Sequence, residues 1–332
     1  MADTLGDFAQ AGRMDEAAIP VIDIAPALDG SNVGLVASQI HYAATQSGFF
    51  YIKGHGIAPA LMEQAFSVAQ DFFEQPVDVK QIVAVDTNQR GWMATGMSTL
   101  QGAKTHDLKE VFFWGAETAH DDPDLLAHKP LVAANRWPDA AYPRLRRDLE
   151  PYYDALCAVA RQVMGALALS LDRPADFFDA AYAKPLARGQ LVYYPPSTAA
   201  DEAEERFGVA AHTDFGVLTF LLQDSNGGLQ VKLKSGKWIE APPIEGTLVC
   251  NIGDLLARWS NDRFASTLHR VINRSGRARY SIPVFFDPHT DMVVDPRDLG
   301  VAEADCLYPP VKAGEHIAGR NKKSFAQFKT RT

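Results

Sequence analysis

The feature that most restricts the fold of this chain is a change of period at Gly189. Before it, apolar residues recur at helical spacing, as in Leu145, Leu149, Tyr152, Tyr153, Leu156, Val159, Val163 and Leu167. After it the chain breaks into short runs of alternating apolar and polar residues, each closed by a turn signal. Asp224-Ser225-Asn226-Gly227-Gly228, Ser235-Gly236 and Ser275-Gly276 are such turns. Strands are expected over 191–194, 218–223, 229–233, 237–240, 247–252, 268–273 and 278–286. The turns predict that 218–223 forms a hairpin with 229–233, and 268–273 with 278–286. Many short strands of this kind make a double-stranded β-helix, a jelly roll, so the fold class is mainly β with flanking helices.

Upstream, Ser31 or Asn32 is placed to cap a helix over 33–46, with Gly48 just beyond its end. Pro59 opens a second helix, and 142–171 reads as a long spine helix that Pro151 would kink or split. Segments 19–24 and 49–52 read as strands, and 90–102, rich in Gly, Met and Thr, as a loop. No linker, repeat or low-complexity stretch divides the chain. The reading is one elaborated domain over 1–332, with a mixed N-terminal region (1–185), a jelly-roll core (186–290) and a C-terminal extension (291–332). The basic stretch 312–331 is expected to return over the core as a helix.

Composition sets the broad class. The 332 residues are 47% hydrophobic and 22% charged, as in an ordinary globular protein. A net charge of −9 argues against a nucleic-acid partner, which needs clustered cations. No apolar run approaches the roughly 18 residues of a membrane span. The first residues, Met1 to Glu16, lack the basic start and apolar stretch of a signal peptide. Cys157, Cys250 and Cys306 are odd in number and scattered, which fits a reducing, cytoplasmic setting.

Within the strand-rich half, His212 and Asp214 stand two apart, so an extended chain turns both to one face. His269, on another strand-like run, supplies a third ligand. Two histidines and one carboxylate on one face of an ion form the facial triad of non-haem Fe(II) oxygenases, with coordination positions left open. Arg279 and Ser281 form a second i, i+2 pair, a guanidinium fork beside a hydroxyl that suits a carboxylate.

In this order, H-x-D, distal His and R-x-S, the chain resembles the Fe(II)/2-oxoglutarate-dependent dioxygenases of the isopenicillin N synthase-like family. The matching stretches are Tyr193-Tyr194-Pro195-Pro196, Ala211-His212-Thr213-Asp214-Phe215-Gly216, Gly228-Leu229-Gln230-Val231, Asn251-Ile252-Gly253-Asp254, Trp259-Ser260-Asn261-Asp262, Leu268-His269-Arg270-Val271 and Arg279-Tyr280-Ser281. Upstream, Ile19-Pro20-Val21-Ile22-Asp23 and Gly48-Phe49-Phe50-Tyr51 extend the likeness over almost the whole chain.

The resemblance implies Fe(II) on His212, Asp214 and His269, with O₂ and 2-oxoglutarate as co-substrates. It places the far carboxylate of 2-oxoglutarate on Arg279 and Ser281, with a phenol hydrogen bond from Tyr194. It also implies oxidative decarboxylation to succinate and CO₂, coupled to C–H oxidation of a small molecule, by default hydroxylation. Trp92, Met97, Phe215 and Phe285 are the residues expected to face the substrate. Val192 departs from the family's usual Asn before the Tyr-Tyr pair. Two alternatives remain: a same-fold Fe(II) oxidase that closes rings or desaturates without 2-oxoglutarate, and a jelly-roll binding module without metal.

Overall fold

The computed structural model describes residues 11–14, 18–99 and 105–324. In it, period-2 alternation and sheet register do most of the architectural work. The strands are β1 (Val21–Asp23), β2 (Phe49–Lys53), β3 (Gly91–Met93), β4 (Glu110–Gly115), β5 (Leu186–Tyr194) and β6 (Val209–His212). They continue as β7 (Leu218–Gln223), β8 (Leu229–Lys232), β9 (Trp238–Glu240), β10 (Leu248–Ile252), β11 (His269–Val271) and β12 (Arg279–Asp287). The described residues form an eight-stranded sheet, β1-β2-β10-β7-β12-β5-β4-β3, facing a four-stranded sheet, β6-β11-β8-β9. Only β1 and β2 pair in parallel in the large sheet; its other pairings are antiparallel. This is the jelly roll with flanking helices that the sequence predicts.

Each strand of the large sheet sends alternate residues to opposite layers. In β2, Phe49 and Tyr51 enter the layer between the sheets, while Phe50 and Ile52 enter the layer under the helices. Likewise β4 sends Val111 and Phe113 one way, Phe112 and Trp114 the other. Full burial of each such side chain contributes about 1.5–3 kcal/mol, so a slip of one residue would exchange two complete sets. Cys250 points into the helix-side core as a small hydrophobe.

Helices α1 (Val33–Gln46), α2 (Pro59–Phe73) and α3 (Arg144–Ser170) cover the outer layer, with α3 packing against both others. Asn32 caps α1 by accepting from Leu35 N at 3.1 Å, and Gly48 takes the left-handed turn beyond it (φ 69°). Of the two outcomes expected at Pro151, a split does not occur: α3 runs unbroken for 27 residues. Pro151 and Arg147 both face solvent, so the carbonyl freed by the missing N–H is left on the wet side. A short α4 (Asp254–Trp259) follows β10, and α5 (Ala313–Ser324) returns over the core with Ala313 and Ile317 buried. The rest of the expected tail helix lies outside the described residues.

Three expectations fail. β7 and β8 are not a hairpin: β7 pairs with β10 and β12, whereas β8 pairs with β11 and β9. Likewise β11 pairs with β6 and β8, not with β12. Both turns are crossings between sheets, and Asp224 explains the first. Its carboxylate accepts from Tyr280 N at 2.6 Å, so the chain leaving β7 stays tied to β12 while Gly227 and Gly228, both at positive φ, swing it to the other sheet. The third is the loop over 90–102, whose start is an edge strand, β3, paired to β4.

Glycines with opposite surroundings test this packing. A Cβ on Gly189 would lie 2.3 Å from the Trp114 ring. Gly189→Ala is therefore expected to destabilise by about 1–3 kcal/mol. Exposed Gly34, within α1, meets nothing within 4 Å. Gly34→Ala is expected to stabilise by about 0.4–1 kcal/mol. Thermal and denaturant unfolding of both variants measure the signs; two shifts in the same direction would refute the packing assigned to Gly189.

Candidate metal centre

β6 and β11 lie side by side with His212 directly opposite His269, so two imidazoles start from one rung of the small sheet. Their rings sit 4.2 Å apart. Asp214 lies two residues past the end of β6 and completes the cluster. Its Oδ1 lies 3.8 Å from His212 Nε2 and 3.7 Å from His269 Nε2. Two ligand atoms each about 2.1 Å from one ion are at most about 4.2 Å apart, so each carboxylate–imidazole pair fits a shared metal. All three ligand atoms fall within 4.8 Å of one another.

The surroundings fix which atoms face inward. His212 Nδ1 meets the Ala210 carbonyl at 2.8 Å and His269 Nδ1 the Thr267 carbonyl at 3.1 Å. A carbonyl only accepts, so Nδ1 carries the proton and each Nε2 presents a lone pair. Burial, with His269 alongside, pushes the His212 pKa down to about 4, which favours the neutral, ligating form. Asp214 Oδ2 accepts from Thr219 Oγ1 at 2.6 Å and Asn251 Nδ2 at 2.7 Å, turning Oδ1 to the histidines. Burial alone would raise the Asp214 pKa; His269, His212, Thr219 and Asn251 together hold it below the usual range. Phe49 meets the His269 ring edge-on at 5.2 Å and restricts its rotation.

Two cavities meet at this cluster. One runs over β5 and β12, where alternation turns Tyr194, Val192, Arg279 and Ser281 inward. Arg279 is fully buried and directly opposite Tyr194, with its guanidinium 4.8 Å over the Tyr194 ring. Its Nε donates to the Gly227 carbonyl at 2.6 Å and Nη2 to Gln223 Oε1 at 3.2 Å, while Nη1 has no partner. Among the described residues no carboxylate pairs with it. A buried cation with an orphaned donor beside a metal cluster fits the far carboxylate of 2-oxoglutarate. The edge left for that carboxylate is the Nη1–Nη2 end, since Nε is occupied.

The second cavity is lined by Gln89, Arg188, Phe215 and Asn321, with Lys109, Gln190, Val209 and Phe285 common to both. Phe215 and Phe285 thus line a cavity that also reaches His212 and Asp214. Trp92 and Met97 line neither cavity. Trp92 is buried in the helix-side core, its indole N–H donating to Glu110 at 2.9 Å, because β3 pairs with β4 instead of remaining a loop. Met97 is 41% exposed. Sequence reasoning assigned no role to Thr219, Asn251, Lys109, Gln89, Arg188 or Asn321. A polar residue inside an otherwise buried strand, as Arg188 and Gln190 are in β5, was the available signal.

A jelly roll carrying a two-histidine, one-carboxylate cluster beside an unpaired buried arginine defines a non-haem iron oxygenase. Residues 189–288 match the family model of the 2OG-Fe(II) oxygenase superfamily, and 19–140 match that of the non-haem dioxygenase in morphine synthesis N-terminal region. The chain is 34% identical over 326 residues to the 2-oxoglutarate-Fe(II) type oxidoreductase hxnY of Emericella nidulans, covering 95% of this chain and 92% of the relative. It is 37% identical over 332 residues to a homoarginine-6-hydroxylase of Oryza sativa subsp. japonica, covering 94% and 98%. Among solved structures, a full-length Neurospora crassa protein in complex with alpha-KG and thymine superposes with a TM-score of 0.80 at 28% identity, covering 95% and 99%. The chain belongs to the 2OG-Fe(II) oxygenase superfamily. It is an Fe(II)- and 2-oxoglutarate-dependent oxidoreductase. No helix among the described residues is long and apolar enough to cross a membrane.

The hydrogen bonds to Asp214 make a test. In Thr219→Val/Asn251→Leu both donors to Oδ2 are lost, and Fe(II) affinity is expected to fall about 10–100-fold. Asp214→Ala, which deletes the anionic ligand, should abolish measurable binding. Anaerobic metal titration checks both, and an unchanged affinity in the double variant would show that Asp214 needs neither donor.

Proposed function

We propose that this protein hydroxylates a C–H bond of a small molecule, using His212, Asp214 and His269 as iron ligands and Arg279, Ser281 and Tyr194 to hold 2-oxoglutarate. The observation that carries the reading is the orphaned Nη1 of fully buried Arg279, in the cavity that also contains the triad. An unpaired interior cation costs several kcal/mol and is retained where an anion is to be bound. Bound Fe(II) and 2-oxoglutarate supply the oxidising chemistry, with succinate and CO₂ as by-products.

The chain's own residues position and exclude. Thr219 and Asn251 orient the carboxylate ligand; Ala210 and Thr267 set both imidazole tautomers. Ser281, 2% exposed, offers a hydroxyl beside Arg279, and the Tyr194 ring keeps the guanidinium in plane. Val192, Leu229 and Val271 make the remaining wall apolar, which strengthens any charge pairing inside it. Phe215 and Phe285 present apolar surface to the substrate on the other side of the cluster. Thymine bound to the Neurospora crassa neighbour supports a compact substrate. The net charge of −9 and three unpaired cysteines support a cytoplasmic enzyme without a nucleic-acid partner.

Arg279 tests the co-substrate. Removing one member of a buried charge pair costs roughly 2–5 kcal/mol. Arg279→Ala should therefore weaken 2-oxoglutarate binding by about 30- to several-thousand-fold while Fe(II) still binds. Arg279→Lys should fall between, keeping the charge and losing the planar fork. Anaerobic titration of the Fe(II) protein, read by its visible charge-transfer band, gives the affinities. The rival oxidase makes the opposite prediction: substrate oxidation at full rate in 2-oxoglutarate-free buffer, with no succinate, would overturn the roles given to Arg279 and Ser281.

A further inference from the structure

The first cavity has two carboxylates of 2-oxoglutarate to accommodate, and Arg279, Ser281 and Tyr194 account only for the far one. At the triad end few hydrogen-bond donors are free. Thr219 Oγ1 and Asn251 Nδ2 are committed to Asp214 Oδ2, and the two imidazole Nδ1 atoms to backbone carbonyls. Phe49, Val192, Val209, Leu229 and Val271 are apolar. Among the lining residues this leaves Lys109 and Gln190, and both also border the second cavity. A carboxylate bound at the triad takes its hydrogen bond from one of these two side chains.

Lys109 is fixed beside His212 by a chain of contacts. It stands two residues before Val111, whose side chain enters the layer between the sheets, so Lys109 turns the same way and is 7% exposed. Its Nζ lies 3.1 Å from Asp107 Oδ2. Asp107 is fully enclosed; its Oδ2 also accepts from Ser98 Oγ at 2.8 Å, and its Oδ1 from Ala210 N at 3.1 Å. Ala210 belongs to β6, and its carbonyl accepts from His212 Nδ1. The ammonium is thus held against the strand that carries the first metal ligand. Burial, His269 and, more weakly, the Lys109 charge all push the His212 pKa down. An ammonium has three N–H donors, and Asp107 is its one partner among the described residues, so donors remain for the cavity.

The pairing with Asp107 also suits the charge of the site. Asp214 and one carboxylate of the co-substrate already match a bound Fe(II), so what the triad end lacks is a donor that adds no net charge. A lysine neutralised by its own aspartate supplies one, and a charge-assisted bond is roughly twice as strong as one from the Gln190 amide. We infer that Lys109 donates to the C1 carboxylate of 2-oxoglutarate, so that the co-substrate is gripped by a cation at each end. This rests on the co-substrate site proposed above and adds a binding residue to it.

The test is anaerobic titration of the Fe(II) protein with two keto acids, read by the visible charge-transfer band. 2-Oxoglutarate has both carboxylates; 2-oxopentanoate keeps the C1 carboxylate and the 2-oxo group but lacks the far one. Lys109→Met/Asp107→Asn removes both members of the buried pair, so neither charge is left alone. It should weaken both keto acids by the same factor, about 10- to 100-fold, with Fe(II) affinity and the unfolding curve close to wild type. Arg279→Ala should weaken 2-oxoglutarate and leave 2-oxopentanoate unchanged. Lys109→Arg, which restores the donors, should recover most of the loss, and Gln190→Leu should cost little. If the double variant does not fold, Lys109→Gln is read in its place. Unchanged affinity for both acids would overturn the inference. So would a loss confined to 2-oxoglutarate, a larger loss in Gln190→Leu, or wild-type protein that binds 2-oxoglutarate but no 2-oxopentanoate at high millimolar concentration. Wild-type protein that fails to bind 2-oxoglutarate would instead count against the site on Arg279.

Discussion

The two sheets of this molecule are stitched together at one carboxylate. Asp214 leaves the small sheet on the end of β6, yet its Oδ2 is held by Thr219 and Asn251, cross-strand neighbours of the large sheet. That leaves Oδ1 to the imidazoles of the small sheet. The backbone repeats the stitch: Asp214 carbonyl accepts from Asp254 N at 2.7 Å and Gly253 N donates to Val217 at 3.0 Å. Gly253 must lack a Cβ for this approach, since one would lie 2.3 Å from the Gly216 carbonyl. The geometry of the candidate metal cluster is therefore a by-product of how the sheets close on each other. Any shift between them moves Asp214 relative to both histidines.

Much of this was legible in the sequence, because it depends on local period. Residues two apart on a strand share a face, so His212 with Asp214 and Arg279 with Ser281 could be paired from spacing alone. The same rule holds in β2, where Phe49 and Tyr51 enter one layer and Phe50 and Ile52 the other. What spacing could not supply was the partner of each strand. The Gly-rich turns at 224–228 and 275–276 are as compatible with crossing to the facing sheet as with a hairpin. Asp224 decides the first through a bond to Tyr280, more than fifty residues away in sequence. Trp92 fails for a related reason. Its segment carries loop residues, but pairing with β4 and an anchor on Glu110 override that composition.

Three of the residues missed at the site, Asn251, Thr219 and Arg188, act through register. Asn251, Thr219, Phe285 and Arg188 form one continuous row across β10, β7, β12 and β5. The row begins at the carboxylate of the candidate metal cluster and ends on Arg188 in the second cavity, yet it draws on four strands spread from residue 188 to residue 285. No window of sequence contains it. Gln89 and Asn321 are farther apart still and meet only because α5 folds back across the mouth of the barrel.

The contrast between two arginines shows how charge divides the interior. Arg279 and Arg188 sit on adjacent antiparallel strands and both enter the space around the triad. Arg188 has Asp287 at 2.9 Å, while Arg279 is held by neutral groups alone, a carbonyl and an amide oxygen. Neutral acceptors fix a guanidinium's position without cancelling its charge, so the field around Arg279 stays available to a ligand carboxylate. At Arg188 the charge is spent within the protein, and what it passes on is orientation: it sets the polarity of Gln89 and, through it, of Asn321. The field beside Arg279 is therefore open to a ligand anion, whereas the one beside Arg188 is closed by Asp287.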